Sequence, residues 1–349
     1  MSGLGERIAR QIAASGPLTV AQFMALALFD PKEGYYRQAQ AVGRSGDFVT
    51  APEVSQVFGE LLGIWCIEQW RRLGEPQPFK LIELGPGRGT LMADALRAIA
   101  LRPALREAVE VHLVEVNETL RQQQRQALHN VPVVWHESLE EVPPGPFELL
   151  ANEFFDALPI RQFERAPDGW RERLVALDES GALAFTLSGP VPAALIPQES
   201  RAAPTASVLE IATGGDALLS RLAERVRAGP GAALIVDYGY VQPPLRGTLQ
   251  ALRRHERVDP LSEPGATDLS ALVDFSALAA AARRVGAAVE GPITQAELLT
   301  SLGAADRFAA LRQANPGKAA ALDAAQHRLI SSDQMGDLFQ AMAVLPPGA

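Results

Sequence analysis

Seven short apolar runs recur along the chain, and most of them are followed by a stretch with helical apolar spacing. Such runs suit parallel strands covered on both faces, and their alternation with helices predicts an α/β fold with a mostly parallel sheet. The last run is expected to lie antiparallel at the sheet edge. The predicted strands are residues 79–84, 110–116, 131–135, 147–151, 231–238, 287–293 and 338–345.

Segments outside that alternation divide the chain into regions. Residues 1–76 have helical spacing, with one long helix predicted over 53–73, and residues 77–349 form the core. The first region also contains glycine-rich stretches with aromatic and acidic residues, at 34–36 and 43–53, which form either an ordinary surface loop or a lid over the ligand. Three insertions interrupt the core and are expected to help bind a substrate. They are a β-rich segment at about 160–209, a loop at about 241–275 and a helical segment at about 296–332.

Composition narrows the class of protein. The 349 residues are 47% apolar, which supports a hydrophobic core, and no apolar run reaches the length of a membrane helix. The first 30 residues do not follow the order of a signal peptide, and no transit peptide is evident, so a soluble cytoplasmic protein is expected. The single cysteine excludes an internal disulfide. A net charge of -9 argues against nucleic-acid binding and suits a cationic substrate.

Three glycines follow the first predicted strand, in the pattern Glu83-x-Gly85-x-Gly87-x-Gly89. A dinucleotide fingerprint fails in both glycine registers, which disfavours a dehydrogenase, and no P-loop is present. The pattern is similar to the first motif of class I S-adenosylmethionine (SAM) methyltransferases. Glycines allow the backbone to approach the methionine moiety, and Glu83 can face its ammonium group. The alternative is a tight strand-to-helix turn without a ligand.

The next two strands each end in polar residues. Glu115 lies near the carboxyl end of the second strand, where an acid commonly accepts hydrogen bonds from both hydroxyls of a ribose. Glu137 and Ser138 follow the third strand, at the position that usually contacts adenine in SAM enzymes. The alternative for Glu115 is a solvated carboxylate. Together with the glycines, these residues predict SAM as the cofactor.

The fourth strand leads into Asn-Glu-Phe-Phe-Asp-Ala-Leu-Pro at 152–159. Amine N-methyltransferases carry an Asn/Asp/Ser-x-x-aromatic motif here, which Asn152 and Phe155 match. A nitrogen nucleophile must be oriented in line with the methyl–sulfur bond, and Glu153 and Asp156 could hold a guanidinium in that orientation. Asn152, Glu153 and Asp156 are therefore the candidate catalytic residues, and no metal is expected. An ordinary turn with two solvated acids is the alternative.

With these motifs in place, the chain resembles the MidA family of SAM-dependent methyltransferases. The resemblance covers almost the whole chain, and its most specific part is the stretch 152–159. Further matching motifs are Gly46-Asp47-Phe48, Asp237-Tyr238-Gly239 and Asp268-x5-Asp274-Phe275-Ser276.

The resemblance implies a seven-stranded class I methyltransferase fold and a protein-arginine substrate, since the family includes a mitochondrial complex I assembly factor with this activity. The implied target is a 49-kDa-type subunit of complex I (NADH:quinone oxidoreductase), whose assembly the protein would support. The candidate substrate-binding residues are Asp47, Phe155 and Tyr238. The alternatives are methylation of a small-molecule amine or RNA, and a non-catalytic SAM-binding assembly chaperone. The sequence predicts no oligomeric state.

Overall fold

The computed structural model describes residues 3–37, 50–253 and 256–348. The first part is helical, as its spacing predicts, but the single helix predicted over 53–73 is wrong. The helix is interrupted at Ser55, which has an extended backbone (φ -159°, ψ 140°). The Ser55 side chain accepts a hydrogen bond from Val57 N and so caps a second helix. The elements are α1 (Gly3–Ser15), β1 (Leu18–Thr19), α2 (Val20–Phe29), α3 (Ala51–Val54) and α4 (Gln56–Arg72).

The first half of the core alternates strands and helices, and its four strands run parallel. The first and fourth of these strands are neighbours, so the strand order changes direction between them and leaves a crevice at their carboxyl ends. The elements are β2 (Phe79–Leu84), α5 (Thr90–Ile99), α6 (Pro103–Ala108), β3 (Val109–Val114), α7 (Glu118–Ala127), β4 (Val133–His136) and β5 (Phe147–Asn152).

The β-rich insertion is antiparallel, as its alternating pattern predicts. It also pairs with the N-terminal region, because β1 adds to one of its strands at Leu18↔Val175. The N-terminal helices are thereby tied to the insertion. Its strands are β6 (Arg161–Ala166), β7 (Gly169–Leu177), β8 (Leu183–Pro190) and β9 (Val208–Ile211).

The segment at about 241–275 is not the loop that the sequence predicts. It contains a small antiparallel sheet, since Ala251 pairs with both Val258 and Leu269, and a two-residue strand that pairs with the preceding core strand. Ala251 and Leu269 are buried against α2, so packing orders the segment. The elements are α8 (Thr213–Ala228), β10 (Gly231–Tyr240), β11 (Gln250–Arg253), β12 (Glu256–Val258), β13 (Asp268–Ser270) and β14 (Val273–Asp274).

The last core strand is antiparallel, as predicted, but it does not lie at the sheet edge. It is inserted between two strands that are parallel to the others, and all seven of its residues are buried, which explains its long apolar run. The elements are α9 (Phe275–Arg284), β15 (Ala288–Thr294), α10 (Gln295–Ser301), α11 (Ala304–Ala314), α12 (Ala319–Ile330), α13 (Met335–Leu338) and β16 (Phe339–Leu345).

The central sheet therefore has the order β15-β16-β10-β5-β2-β3-β4, with β14 pairing with β10 at the side. Successive side chains of a strand point to opposite faces, so Leu81 packs with α4 and α5 while Ile82 packs with α8 and α9. Helices thus cover both faces, and the carboxyl ends of the strands stay accessible. Within the described ranges, no helix is long and apolar enough to cross a membrane.

Candidate functional site

A cavity of about 340 Å³ opens at the carboxyl ends of β2, β3, β4 and β5, the size range of small-molecule sites. Residues of α2, α3 and β13 close its other sides. Its described lining holds seven carboxyl groups and one cationic side chain, Arg88. A cavity with this balance favours a cationic ligand. The carboxyl groups belong to Glu53, Glu83, Glu115, Glu137, Glu153, Asp156 and Asp268.

The glycine loop joins β2 to α5 through three residues with positive φ, 60° at Gly85, 51° at Gly87 and 83° at Gly89. Side chains other than glycine rarely adopt this conformation. A Cβ on Gly85 would also lie 2.9 Å from the ring of Phe154. Gly85 and Gly87 line the cavity, whereas Gly89 is the N-cap residue that precedes α5.

Glu83 is the penultimate residue of β2, the strand that leads into this loop, and is only 3% exposed. Burial, reinforced by Glu115, raises the pKa of its carboxyl group to about 8. Its Oε2 has no hydrogen-bond partner within the described chain, and neither does Oδ1 of Asn152. Both residues line the cavity, so a ligand with hydrogen-bond donors would satisfy these two buried atoms.

Glu115 is held by its neighbours. Its Oε1 accepts a hydrogen bond from Asn117 N (2.8 Å), and its Oε2 accepts one from Gln124 Nε2 (3.3 Å). The same Gln124 amide donates to Gly87 O at 2.7 Å and so links the strand end to the glycine loop. Sequence reasoning missed Gln124, because a glutamine on a polar helix carries no signal that it is buried.

The predicted adenine contacts occupy different positions. Glu137 lines the cavity, and its N–H donates to Glu141 Oε2 at 2.9 Å. Ser138 is not part of the described lining; its carbonyl accepts a hydrogen bond from Glu141 N. Both assignments remain predictions.

Glu153 and Asp156 form an acidic pair at the end of β5. Glu153 has a positive φ of 50°, a strained conformation for a non-glycine residue. Its Oε1 accepts hydrogen bonds from Ala51 N (2.9 Å) and Asn152 Nδ2 (3.2 Å). Burial raises the pKa of Glu153 to about 8 and that of Asp156 to about 7, so the pair gains negative charge when a cation binds.

The loop that follows β5 is anchored by the buried side chain of Asp237. Oδ2 of Asp237 accepts hydrogen bonds from the N–H groups of Phe154 (3.0 Å), Phe155 (2.8 Å) and Asp156 (3.2 Å). Asp237 is fully buried at the end of β10. Sequence reasoning missed this role, although an acid at the end of an apolar strand is a usable signal.

Two of the three predicted substrate-binding residues, Phe155 and Tyr238, are not part of the described lining of the cavity. Phe155 is 4% exposed and packs in the core against α8, so Phe154 is the phenylalanine of this pair that lines the cavity. Tyr238 packs on Phe339, with ring centroids 3.8 Å apart. Asp47 lies outside the described residues.

Residues before β2 complete the cavity. Tyr36 and Glu53 belong to the stretch interpreted from the sequence as either a surface loop or a lid over the ligand, whereas Phe29 has no assignment from the sequence. Thr90 Oγ1 donates to Glu53 Oε1 at 2.6 Å, which attaches α3 to the start of α5. Phe29 stacks on Tyr36, whose hydroxyl donates to Asp268 Oδ1 at 3.2 Å. An aromatic and acidic wall therefore faces the glycine loop.

Known proteins with the same features identify the cofactor. A family model for S-adenosyl-L-methionine-dependent methyltransferases matches residues 61–293. A crystal structure of a Burkholderia thailandensis protein bound to S-adenosyl-homocysteine has a TM-score of 0.85 and 28% identity, covering 98% of this chain and 91% of its own. The fold and the site thus define a class I SAM-dependent methyltransferase.

Two relatives place the chain more narrowly. "Protein arginine methyltransferase NDUFAF7, mitochondrial" of Danio rerio is 38% identical, covering 97% of this chain and 86% of the relative. The protein of that name from Homo sapiens is 36% identical, with 96% and 82% covered. The chain belongs to the MidA/NDUFAF7-type family of SAM-dependent methyltransferases, which confirms the resemblance seen in the sequence motifs.

The residues of the cavity fit SAM. The unpartnered acceptors of Glu83 and Asn152 suit an ammonium group, and the positive-φ loop leaves the backbone open to a ligand. SAM supplies a methyl group on a positively charged sulfur, which the surrounding carboxyl groups attract.

Proposed function

We propose that this protein is a protein-arginine N-methyltransferase. The observation that carries the proposal is the acidic pair Glu153 and Asp156, placed in the same cavity as the glycine loop. Two carboxylates three residues apart match the charge and the forked donors of a guanidinium group. The names of the relatives, protein arginine methyltransferases, support the same reaction.

The pair would act by binding and orientation. Glu153 Oε1 is already occupied by two donors, so Oε2 and the Asp156 carboxyl group are the atoms that face an incoming guanidinium. A nitrogen of that group forms a bond to the methyl carbon as the carbon–sulfur bond breaks, and the nitrogen then loses a proton. Carboxyl groups with a raised pKa can accept that proton near neutral pH.

We further propose that the target is a 49-kDa-type subunit of respiratory complex I, and that methylation supports its assembly. This step rests on the likeness to the MidA family. The acidic cavity and the strands added at β6 to β9 and β11 to β13 are consistent with a basic segment of a protein as the acceptor.

The test uses labelled SAM and extracts of cells that lack the gene. Purified wild-type protein and Glu153→Gln are incubated with protein, RNA and small-molecule fractions, and labelled products are analysed by mass spectrometry. Glu179→Gln, an exposed acid in a turn of the β-rich insertion, is the matched control. We expect label in methylarginine of protein for wild type and control only. Label in RNA or in a free amine would overturn the assignment.

A further inference from the structure

Among the described residues that line the cavity, Arg88 alone has a positively charged side chain. It lies between Gly87 and Gly89 in the loop that receives the cofactor, and seven carboxyl groups share the lining with it. One cation in an anionic site needs an explanation, because it weakens the attraction for a positively charged ligand.

The ion pair of Arg88 with Glu53 does not stabilise the loop enough to explain the presence of this cation. Arg88 Nη1 lies 3.9 Å from Glu53 Oε2, which is too long for a hydrogen bond, and the Arg88 side chain is 43% exposed. Such pairs contribute about 0–1 kcal/mol. The other oxygen of Glu53 already binds Thr90 Oγ1 at 2.6 Å. Within the described chain, the guanidinium donors of Arg88 are thus available to a ligand.

The cavity also contains hydrogen-bond acceptors without a partner in the described chain, which complement the donors of Arg88. Oε2 of Glu83 and Oδ1 of Asn152 are buried, line the cavity and have no partner among described residues. The described lining of the cavity therefore contains both unpartnered acceptors, on Glu83 and Asn152, and unpartnered donors, on Arg88. An α-amino acid has the same two groups, an ammonium and a carboxylate, on a single carbon atom.

We propose that Arg88 binds the carboxylate of the methionine moiety of SAM, while Glu83 and Asn152 receive its ammonium group. A guanidinium can bind a carboxylate through two parallel hydrogen bonds, which fixes orientation as well as position. Arg88 thereby makes the site selective for adenosyl ligands that keep an intact amino acid. The inference concerns the cofactor alone and does not depend on the identity of the methyl acceptor.

The test compares two ligands by calorimetry in the absence of any acceptor. SAM and decarboxylated SAM share the adenosine, the sulfonium and the amine, and differ in the carboxylate. Wild-type protein should bind SAM about 10- to 100-fold more tightly than decarboxylated SAM. In Arg88→Gln that preference should fall to about twofold or less, through weaker binding of SAM, with decarboxylated SAM bound as tightly as in wild type or more tightly.

Arg97→Gln is the matched control. Arg97 lies on α5, is 50% exposed, pairs with Asp94 and does not line the cavity. It should keep the wild-type preference. Equal loss of affinity for both ligands in Arg88→Gln would show that Arg88 only shapes the loop and would overturn the proposal. A wild-type protein without a preference would overturn it as well. Failure of arginine methylation would leave these binding results unchanged.

Discussion

The two ends of the cavity are built from residues at very different distances along the chain. At the cofactor end, Glu83, the glycine loop and Glu115 lie on two successive strands, and Asn117 and Gln124 hold them from the helix that follows. At the proposed acceptor end, Glu153 is held by Ala51, 102 residues earlier, and its loop by Asp237, more than 80 residues later. Most of the cofactor end is a local unit, to which β5 adds Asn152, whereas the proposed acceptor end forms only after three distant segments have packed together.

The largest effect should come from the acceptor end. Glu153→Gln keeps an oxygen that can accept from Ala51 N but removes the charge that attracts a guanidinium. We expect turnover to fall about 1,000-fold, within the usual range for a general base, while SAM affinity stays close to wild type. Labelled-methyl transfer and calorimetry measure the two quantities. Parallel loss of both would show that the two ends are not separable.

The second effect tests the support of the acceptor loop. Asp237→Ala removes the acceptor of three successive N–H groups in a buried site. The free energy of unfolding should decrease by about 3 kcal/mol, measured by urea denaturation. Asp237→Asn, which keeps one carbonyl oxygen, should lose less. Equal stability of all three proteins would contradict the proposed anchoring.

The third effect concerns pH at the cofactor end. The Glu83 carboxyl group, with a pKa of about 8, carries a proton in the free protein at pH 6. An ammonium group favours the charged form, so cofactor binding releases a proton and tightens as pH rises from 6 to 8, by up to about tenfold per pH unit. Above that range the dependence should flatten. Glu83→Gln should bind SAM about 10- to 30-fold more weakly at pH 8 and respond less to pH in calorimetric titrations.

The smallest effect separates the two adenine assignments. Glu137 lines the cavity and Ser138 does not belong to its described lining. Glu137→Ala should weaken SAM binding about three- to tenfold, the value of one modest hydrogen bond, and Ser138→Ala should bind as wild type. The same calorimetric assay decides this, and a reversed order would assign adenine to Ser138.

The cofactor end could be predicted from the sequence because most of its residues belong to one short motif and to the end of the next strand. The spacing of Gly85, Gly87 and Gly89 after an apolar strand excludes other nucleotide motifs, and Glu115 follows at the end of the next strand. The alternation of apolar runs and helices likewise predicts the α/β fold, which the similar Burkholderia structure confirms.

Other features depend on contacts that no local pattern contains. Phe154 and Phe155 are adjacent and chemically equal, and the packing of Phe155 in the core against α8 leaves Phe154 to line the cavity. The strands at 250–270 are short and weakly apolar, so their order comes from packing on α2. The position of β16 inside the sheet depends on its pairing with both β10 and β15, and the spacing of apolar residues does not specify which strands pair.

That position has a consequence for biosynthesis. On the ribosome, β10 and β15 emerge before the strand that joins them, so the apolar edge of β10 stays unpaired until residues 339–345 have left the exit tunnel. An unpaired apolar edge promotes intermolecular strand pairing. The central sheet of this methyltransferase therefore closes only after β16 has been synthesised, and we expect chaperones that shield strand edges to have their greatest effect before that point.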